Sequence, residues 1–404
     1  PGQITCGPFV KSGNGGRRQS MTANLDISGP PIDAMTGWHG VMVNPASIHA
    51  EVKVKIAKME FVTQLCPDMV FSTSPINTGQ ITPHRALLRL GQDSSIDVQL
   101  QLDGIQKPVN DAHLILPEGW RLDLTAGQSD TKLHGRVTVP SSAQQGNYQI
   151  GAKVTDQEVY SSQSLTYPHI RPQIRFAMAS ANIALVDTAS LNGLRIGWID
   201  GGVDEAHHWA GLLGAEIIQL DDNRLITGDF GDLNVIVAGV FAGSTRPLNR
   251  SMQHIRPWIE RGGHFVSQYH RSIDNWDKML SAPLRLQPGS PSIRWRVTDA
   301  TAPVRMLQRD HPLLSSPNRI MDEDFDGWVK ERGLYFASEW DPLYVPLLAM
   351  SDADEVPLEG GLLAARIGAG SHVHCALNLF YQMDNMVVGA FRLFTNLLTP
   401  ADET

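Results

Sequence analysis

A chain of 404 residues, 42% hydrophobic and 19% charged, is too long for one ordinary core and has the composition of a soluble globular protein of about two domains. Its formal net charge is -9 and its 33 basic residues are scattered, so no polyanion-binding face is expected and nucleic acid is not a partner. No stretch reaches the roughly 18 to 20 apolar residues of a membrane helix, and no basic segment followed by an apolar one opens the chain. Neither a membrane nor a leader is expected, and the compartment stays open.

Residues 1–47, with "KSGNGGRRQS" and "DISGPPIDAMTG", show no sustained period and read as an irregular arm. Residues 48–172 turn to short alternating runs such as "EVKVKIAKMEF", "SIDVQLQLDG", "LHGRVTVP" and "NYQIGAKVTD". Alternation bounded by Gly, Pro, Asn and Asp predicts half-buried strands of an all-β sandwich of immunoglobulin-like size. "YPHIRPQIRF" predicts an exit strand running into a linker over 173–192.

From 193 to 404 strands alternate with helices: "LRIGWID", "DEAHHWAGLLGA", "EIIQLD", "DLNVIVAGV", "RPLNRSMQHIRPWIERGG", "HFVSQY", "GSHVHCALNL" and a closing amphipathic "DNMVVGAFRLFTNLL". That order predicts a doubly wound, flavodoxin-like parallel sheet covered on both faces, with a long insertion over 300–352. Cys6, Cys66 and Cys375 are odd in number and far apart, so they form neither a disulfide framework nor a CxxC metal site.

Ligands of such sheets bind beyond the carboxyl ends of the strands. The loops there are "DGGVDEA", "GVFAGSTR" and "QYHRS", which offer Asp200, Arg246, Gln268, Tyr269 and His270. The glycines at 201 and 202 suit an anion or sugar hydroxyls, or simply a turn. Ser267 stands where a hydrolase elbow carries its nucleophile, but Val266 before it and Gln268-Tyr269 after it lack the small surround that elbow needs. His372 and His374 share one face of a strand without a carboxylate motif beside them, so packing is expected rather than a metal site.

The segment 309–352 is punctuated by Pro and Gly and carries Trp328, Glu331, Arg332 and Tyr335. Aromatic rings stack on the apolar faces of sugars while carboxylates and guanidinium groups bind hydroxyls, so this mixture suits carbohydrate. It equally suits an insertion whose aromatics pack it onto the domain.

The segments "LRIGWIDGGVDEAHHWAGLLGAEIIQLD", "GDFGDLNVIVAGVFAGSTRPLN", "IERGGHFVSQYH" and "DHPLLSSPNRIMDEDFDGWVKERGLYFASEWDPLYVPLLAMSD", in this order, resemble the C-terminal half of large bacterial PIG-L (LmbE-like) family deacetylases over about residues 60–400. The resemblance implies a β-sandwich followed by a class I glutamine amidotransferase-like domain. The family's zinc hydrolase depends on an "HPDD" motif that this chain lacks; "DHP" at 310–312 and "CPD" at 66–68 do not replace it. Active amidotransferases place a cysteine at the turn after the strand reading "HFVSQY", where this chain has Gln268 and Tyr269.

The expectation is therefore an accessory component that binds a carbohydrate, an N-acyl sugar or a separate zinc deacetylase subunit, with no catalytic residue, metal or cofactor of its own. Its contacts would be Asp200, Arg246, Gln268, Tyr269, His270, Trp328, Glu331, Arg332 and Tyr335. Two rivals remain: a hydrolase or isomerase of a sugar derivative with His270 or Glu331 as general base, and a scaffold for a catalytic chain.

Overall fold

The computed structural model describes residues 77–103, 111–125, 129, 131–167, 169, 173–271 and 282–401, together with two antiparallel strand pairs, Gly2–Phe9 with Gln19–Leu25 and Glu51–Ile56 with Met59–Gln64. The first pair lies in the arm expected to be irregular: its Thr- and Ile-containing runs, interrupted by a Gly-rich stretch, pair as strands. The rest of that arm lies outside the described residues. The protein is β-rich and divides into two compact units, Pro1–His84 with Ser95–Pro140 and Gln149–Asn182, and Arg85–Ser94 with Ser141–Tyr148 and Ile183–Thr404.

In the first unit six strands form a sheet in the order Gln173–Met178, Tyr160–Leu165, Thr78–Thr82, Ser95–Asp103, Lys132–Thr138, Arg121–Leu124. Ala112–Ile115 and Gln157–Glu158 pair with Gly146–Val154. Strand 132–138 buries Leu133, Gly135 and Val137 and turns the residues between them outward, the period of two expected of a sheet with one face in a core. Ile81, Leu100, Val137 and Ile150 are fully buried. The stretch read as a linker instead holds two strands, Gln173–Met178 and Ser180–Val186. The first pairs antiparallel with Tyr160–Leu165, and its alternating Ile, Phe and Met are ordinary strand material after the preceding prolines.

The second unit is a seven-stranded sheet with helices on both faces. In chain order its elements are β1 (Arg195–Ile199), α1 (Ala206–Leu212), β2 (Glu216–Gln219), α2 (Asp222–Thr227), β3 (Val235–Ala238), α3 (Leu248–Glu260), β4 (His264–Gln268), β5 (Tyr344–Pro346), β6 (Leu362–Ile367), β7 (Gly370–Cys375), α4 (Leu379–Asp384) and α5 (Val388–Leu398). The order across the sheet is β2-β1-β3-β4-β7-β6-β5. The first five strands run parallel, and β6 and β5 close one edge antiparallel.

β3 and β4 are buried at every position, as central strands covered on both sides must be. One face packs Trp198, Val237, Val266 and Val373 against Trp209 of α1 and Phe391 and Phe394 of α5. The other packs Ile236, Ala238 and Phe265 against Leu225 of α2 and Leu248, Met252 and Ile255 of α3. α2 is capped by Asp221, which accepts from Arg224 N–H at 2.8 Å, and ends on Gly228 in the left-handed region. No helix among the described residues is long and apolar enough to cross a membrane.

The insertion is ordered by short antiparallel pairs, Arg296–Val297 with Gly333–Leu334 and Arg305–Met306 with Leu348–Ala349, and by burial of Phe325, Trp328 and Phe336. Its strand Tyr344–Pro346 joins the main sheet as β5.

Candidate functional site at the strand ends

The strand order reverses between β1 and β3, the place where sheets of this topology open a crevice. Here loop-to-loop bonds bridge it. Buried Asp204 accepts from Ala206 N–H through one carboxylate oxygen and from Val240 N–H through the other, both at 2.9 Å, and burial pushes its pKa above the usual carboxylate range. Thr245 Oγ1 donates to Gly201 O at 3.4 Å. Arg246 donates to Asp200 O (3.2 Å), Leu220 O (2.6 Å) and the Asp222 carboxylate (2.7 Å).

Gly201 is required by this closeness: a Cβ there would stand 1.9 Å from Val240 O, a backbone atom that cannot swing aside. Gly201→Ala is expected to lower stability by about 2 kcal/mol or more, within the range of overpacking and backbone strain, read by urea unfolding. An unchanged midpoint would mean that the two loops separate easily.

Beyond β3 and β4 the backbone turns through the left-handed region at aromatic residues. Phe241 has φ 59°, Tyr269 φ 53° and, from the insertion, Tyr335 φ 61°. For residues with a Cβ each such turn costs of order 1 kcal/mol or more, and strain of this kind gathers at functional sites. The three rings pack on one another, with centroids 5.9 Å apart for Phe241–Tyr269, 6.1 Å for Phe241–Tyr335 and 5.4 Å for Tyr269–Tyr335. Phe380 closes on Tyr269 at 5.6 Å, and the Arg271 guanidinium lies 3.8 Å over the Phe241 ring.

Tyr269 is the apex of the turn after β4; its N–H donates to Cys375 O at 2.9 Å. Its hydroxyl donates to Glu331 Oε1 at 2.8 Å, and Asn378 Nδ2 donates to the same oxygen at 3.2 Å. Burial, and then the Glu331 carboxylate, hold the Tyr269 hydroxyl protonated far above its ordinary range. Tyr269 and Glu331 are buried, whereas Phe241, Tyr335, Phe380 and Arg271 are half-buried and form the accessible side of the cluster.

Behind the turn, Ser267 Oγ lies 2.9 Å from His372 Nε2 and 3.1 Å from His374 Nδ1, and Tyr344 Oη lies 2.6 Å from His372 Nδ1. Serine beside histidine has the spacing of a nucleophile and its base, yet Ser267 and His372 have no exposed surface and His374 is 1% exposed. A polar network sealed in the core holds β4, β7 and β5 in register and offers a substrate no approach. The shared strand face of His372 and His374 is thus a hydrogen-bonding face. Among the described residues no group of three His, Cys, Asp or Glu side chains is placed to hold a metal.

The chain matches no family model and no curated protein. Among solved structures it is similar to an exo-beta-1,4-mannosidase, Op5Man5, from Opitutaceae bacterium strain TAV5, at 14% identity and a TM-score of 0.30, over 52% of this chain and 36% of that one. It is also similar to a cold-adapted beta-galactosidase from Rahnella sp. R3 (11% identity, TM-score 0.27, 52% of this chain and 31% of that one). A third similar structure is a beta-galactosidase from Bacillus circulans sp. alkalophilus (13% identity, TM-score 0.28, 52% of this chain and 31% of that one). The matched region thus spans about a third of each of these enzymes.

Of the residues singled out in the sequence, the fold brings Tyr269, Glu331 and Tyr335 into one cluster. Asp200 and Arg246 sit together at the β1–β3 crossover, where Asp200 accepts from Gly202 N–H at 2.7 Å and Arg246 binds backbone. Gln268 and His270 are buried beneath the turn; Gly243 N–H donates to His270 Nε2 at 3.4 Å. Trp328 and Arg332, expected to meet a ligand, face the insertion itself. Trp328 Nε1 donates to Asp324 O at 3.1 Å, and Arg332 donates to Ala302 O and Phe325 O.

Sequence reasoning passed over Phe241, Arg271, Asn378 and Phe380. The usable signal was position: each follows closely on the carboxyl end of a parallel strand.

Proposed function

We propose that the protein is an accessory component whose strand-end site binds a carbohydrate or N-acyl sugar without catalysis there, in association with a PIG-L-type deacetylase. In this reading its first unit is an immunoglobulin-like sandwich and its second a relative of class I glutamine amidotransferases. The observation that carries the reading is the turn after β4. The left-handed apex is kept, but it presents Tyr269, whose hydroxyl is bound to Glu331, where an amidotransferase needs a thiolate. A site with strained backbone, aromatic faces and a guanidinium, but without a reachable nucleophile, is suited to holding a ligand. A sugar would lie on the half-buried rings of Phe241 and Tyr335 with hydroxyls toward Arg271.

Titration calorimetry with N-acetylglucosamine and its oligomers tests this. Wild-type protein is expected to bind, and Tyr335→Ala to lose roughly tenfold in affinity, about 1.4 kcal/mol, as expected for one stacking ring. Because Tyr335 is half-buried, the variant should melt close to wild type. Equal affinity in the variant would move the ligand elsewhere. Absence of both sugar binding and complex formation with a zinc deacetylase subunit would end the proposal.

A further inference from the structure

A second constellation lies at the opposite, amino ends of the strands. His264 opens β4, Ser371 is its direct partner on β7, and Arg366 is the direct partner of Ser371 on β6. Residues directly opposite across strands share a face with Cβ atoms about 5 Å apart, so the three form one row across the sheet.

The hydrogen bonds of His264 fix its tautomer. Nε2 is 2.8 Å from Leu397 O, and a carbonyl only accepts, so Nε2 carries the proton. Nδ1 is then an acceptor, and Ser371 Oγ, 2.7 Å away, donates its hydroxyl proton to it. A serine bonded to a histidine that a third group orients is the arrangement of an activated nucleophile. Ser267 has a similar neighbour but is sealed in the core, whereas Ser371 is half-buried and lines an open cavity of about 630 Å³. That volume falls within the range of small-molecule sites. Ala364, Val373, Val345 and Leu313 supply an apolar surface.

We infer that Ser371 and His264 form an acyl-transfer dyad that hydrolyses a carboxylic ester bound in this cavity, with the acyl group on the apolar surface and the Arg366 guanidinium facing the carbonyl oxygen. Ser371 Oγ attacks the carbonyl carbon while its proton passes to His264 Nδ1, a base that burial keeps weak, so that the charged ring exists only while the adduct lasts, and the carbonyl oxygen takes the negative charge opposite Arg366. Collapse of the adduct breaks the bond to the alcohol, which leaves with the proton from Nδ1. Water then attacks the acyl-serine, gives a proton to Nδ1 and releases the carboxylic acid, and Nδ1 returns a proton to Ser371. Strand pairing sets the position of all three side chains before substrate arrives. The inference concerns a site separate from the aromatic cluster and does not depend on it.

Two readouts on the full chain test it: labelling by a fluorophosphonate, located by peptide mass spectrometry, and hydrolysis of p-nitrophenyl acetate and butyrate. The expected result is an adduct on Ser371 and turnover that falls roughly a hundredfold or more in Ser371→Ala, which stays folded but melts somewhat lower because buried His264 Nδ1 loses its donor. Arg366→Gln, an exposed position, should slow turnover while leaving the labelled residue the same. No adduct on Ser371 in the wild-type protein, or equal hydrolysis by a folded Ser371→Ala, would overturn the inference.

Discussion

Lowering the pH from 7 to 5 is expected to unfold the α/β unit, with a fall in melting temperature of roughly 15 to 30 °C. The cause is a set of histidines buried without charge in β4, β7 and the turn after β4. Burial pushes the pKa of His264 down to about 4 and those of His270 and His374 to about 3, and holds that of His372 well below the ordinary value. In the unfolded chain all four titrate near 6.5.

Above about pH 6.5 both states hold these rings neutral and the full stability is present. Below it the unfolded chain takes up protons that the folded chain refuses, so stability is lost as pH falls from 6.5 toward 4. At pH 5 the loss is about 2 kcal/mol per histidine, or roughly 8 kcal/mol for four, comparable to the whole stability of an ordinary domain. Buried Asp204 and Asp324, whose pKa values are raised, act in the opposite sense by accepting a proton in the fold, but they are fewer. Circular dichroism melts between pH 8 and pH 4.5 measure the effect directly. A melting temperature that stays level from pH 7 to pH 5 would mean that the histidines are hydrated and the sheet is looser than described.

Arg332→Ala is expected to be the most damaging substitution in the insertion, at about 3 to 5 kcal/mol. Arg332 is 4% exposed, and its guanidinium donates to Ala302 O at 3.0 and 2.8 Å and to Phe325 O at 2.5 Å. It also lies 5.5 Å from the Trp328 ring centroid and 6.0 Å from that of Phe325. Burial lowers its pKa to about 10, still charged at neutral pH. Truncation leaves two carbonyls without these partners, each worth roughly 1 to 3 kcal/mol, and a void between the rings. Arg332→Lys should fall between, because one ammonium cannot span both carbonyls.

Urea unfolding followed by tryptophan fluorescence reads the loss. Should the alanine variant keep its stability and lose only sugar affinity, Arg332 belongs to the binding site and the insertion is held by other contacts.

The fully apolar β3 and the Gly-closed α3 show in the sequence because local pattern dictates them. The same holds for the alternating strands of the first unit. What the sequence hides is adjacency across distance. His264 and Ser371, 107 positions apart, meet only because β7 pairs with β4 after a stretch that includes the insertion, and a histidine followed by apolar residues looks the same wherever it docks. The insertion shows a different limit. Trp328, Arg332 and Tyr335 are alike in composition to any sugar site, but two pack inward and one joins the half-buried aromatic cluster, and side-chain direction there follows from backbone turns that no period announces. Residues that bind their own loop and residues that bind a guest use the same chemistry.

The division of the chain has a practical corollary for anyone cutting the gene. Strand Arg85–Arg89 lies within the first hundred residues, yet it is counted with the second unit, where Leu87 joins the core of Trp198 and Phe391 and Arg85 pairs with Asp384 at 3.1 Å. An expression fragment that starts at the apparent boundary near residue 183 would omit Arg85–Ser94 and Ser141–Tyr148 and leave Ala184 and Val186 without Leu87. No single restriction point separates the two units.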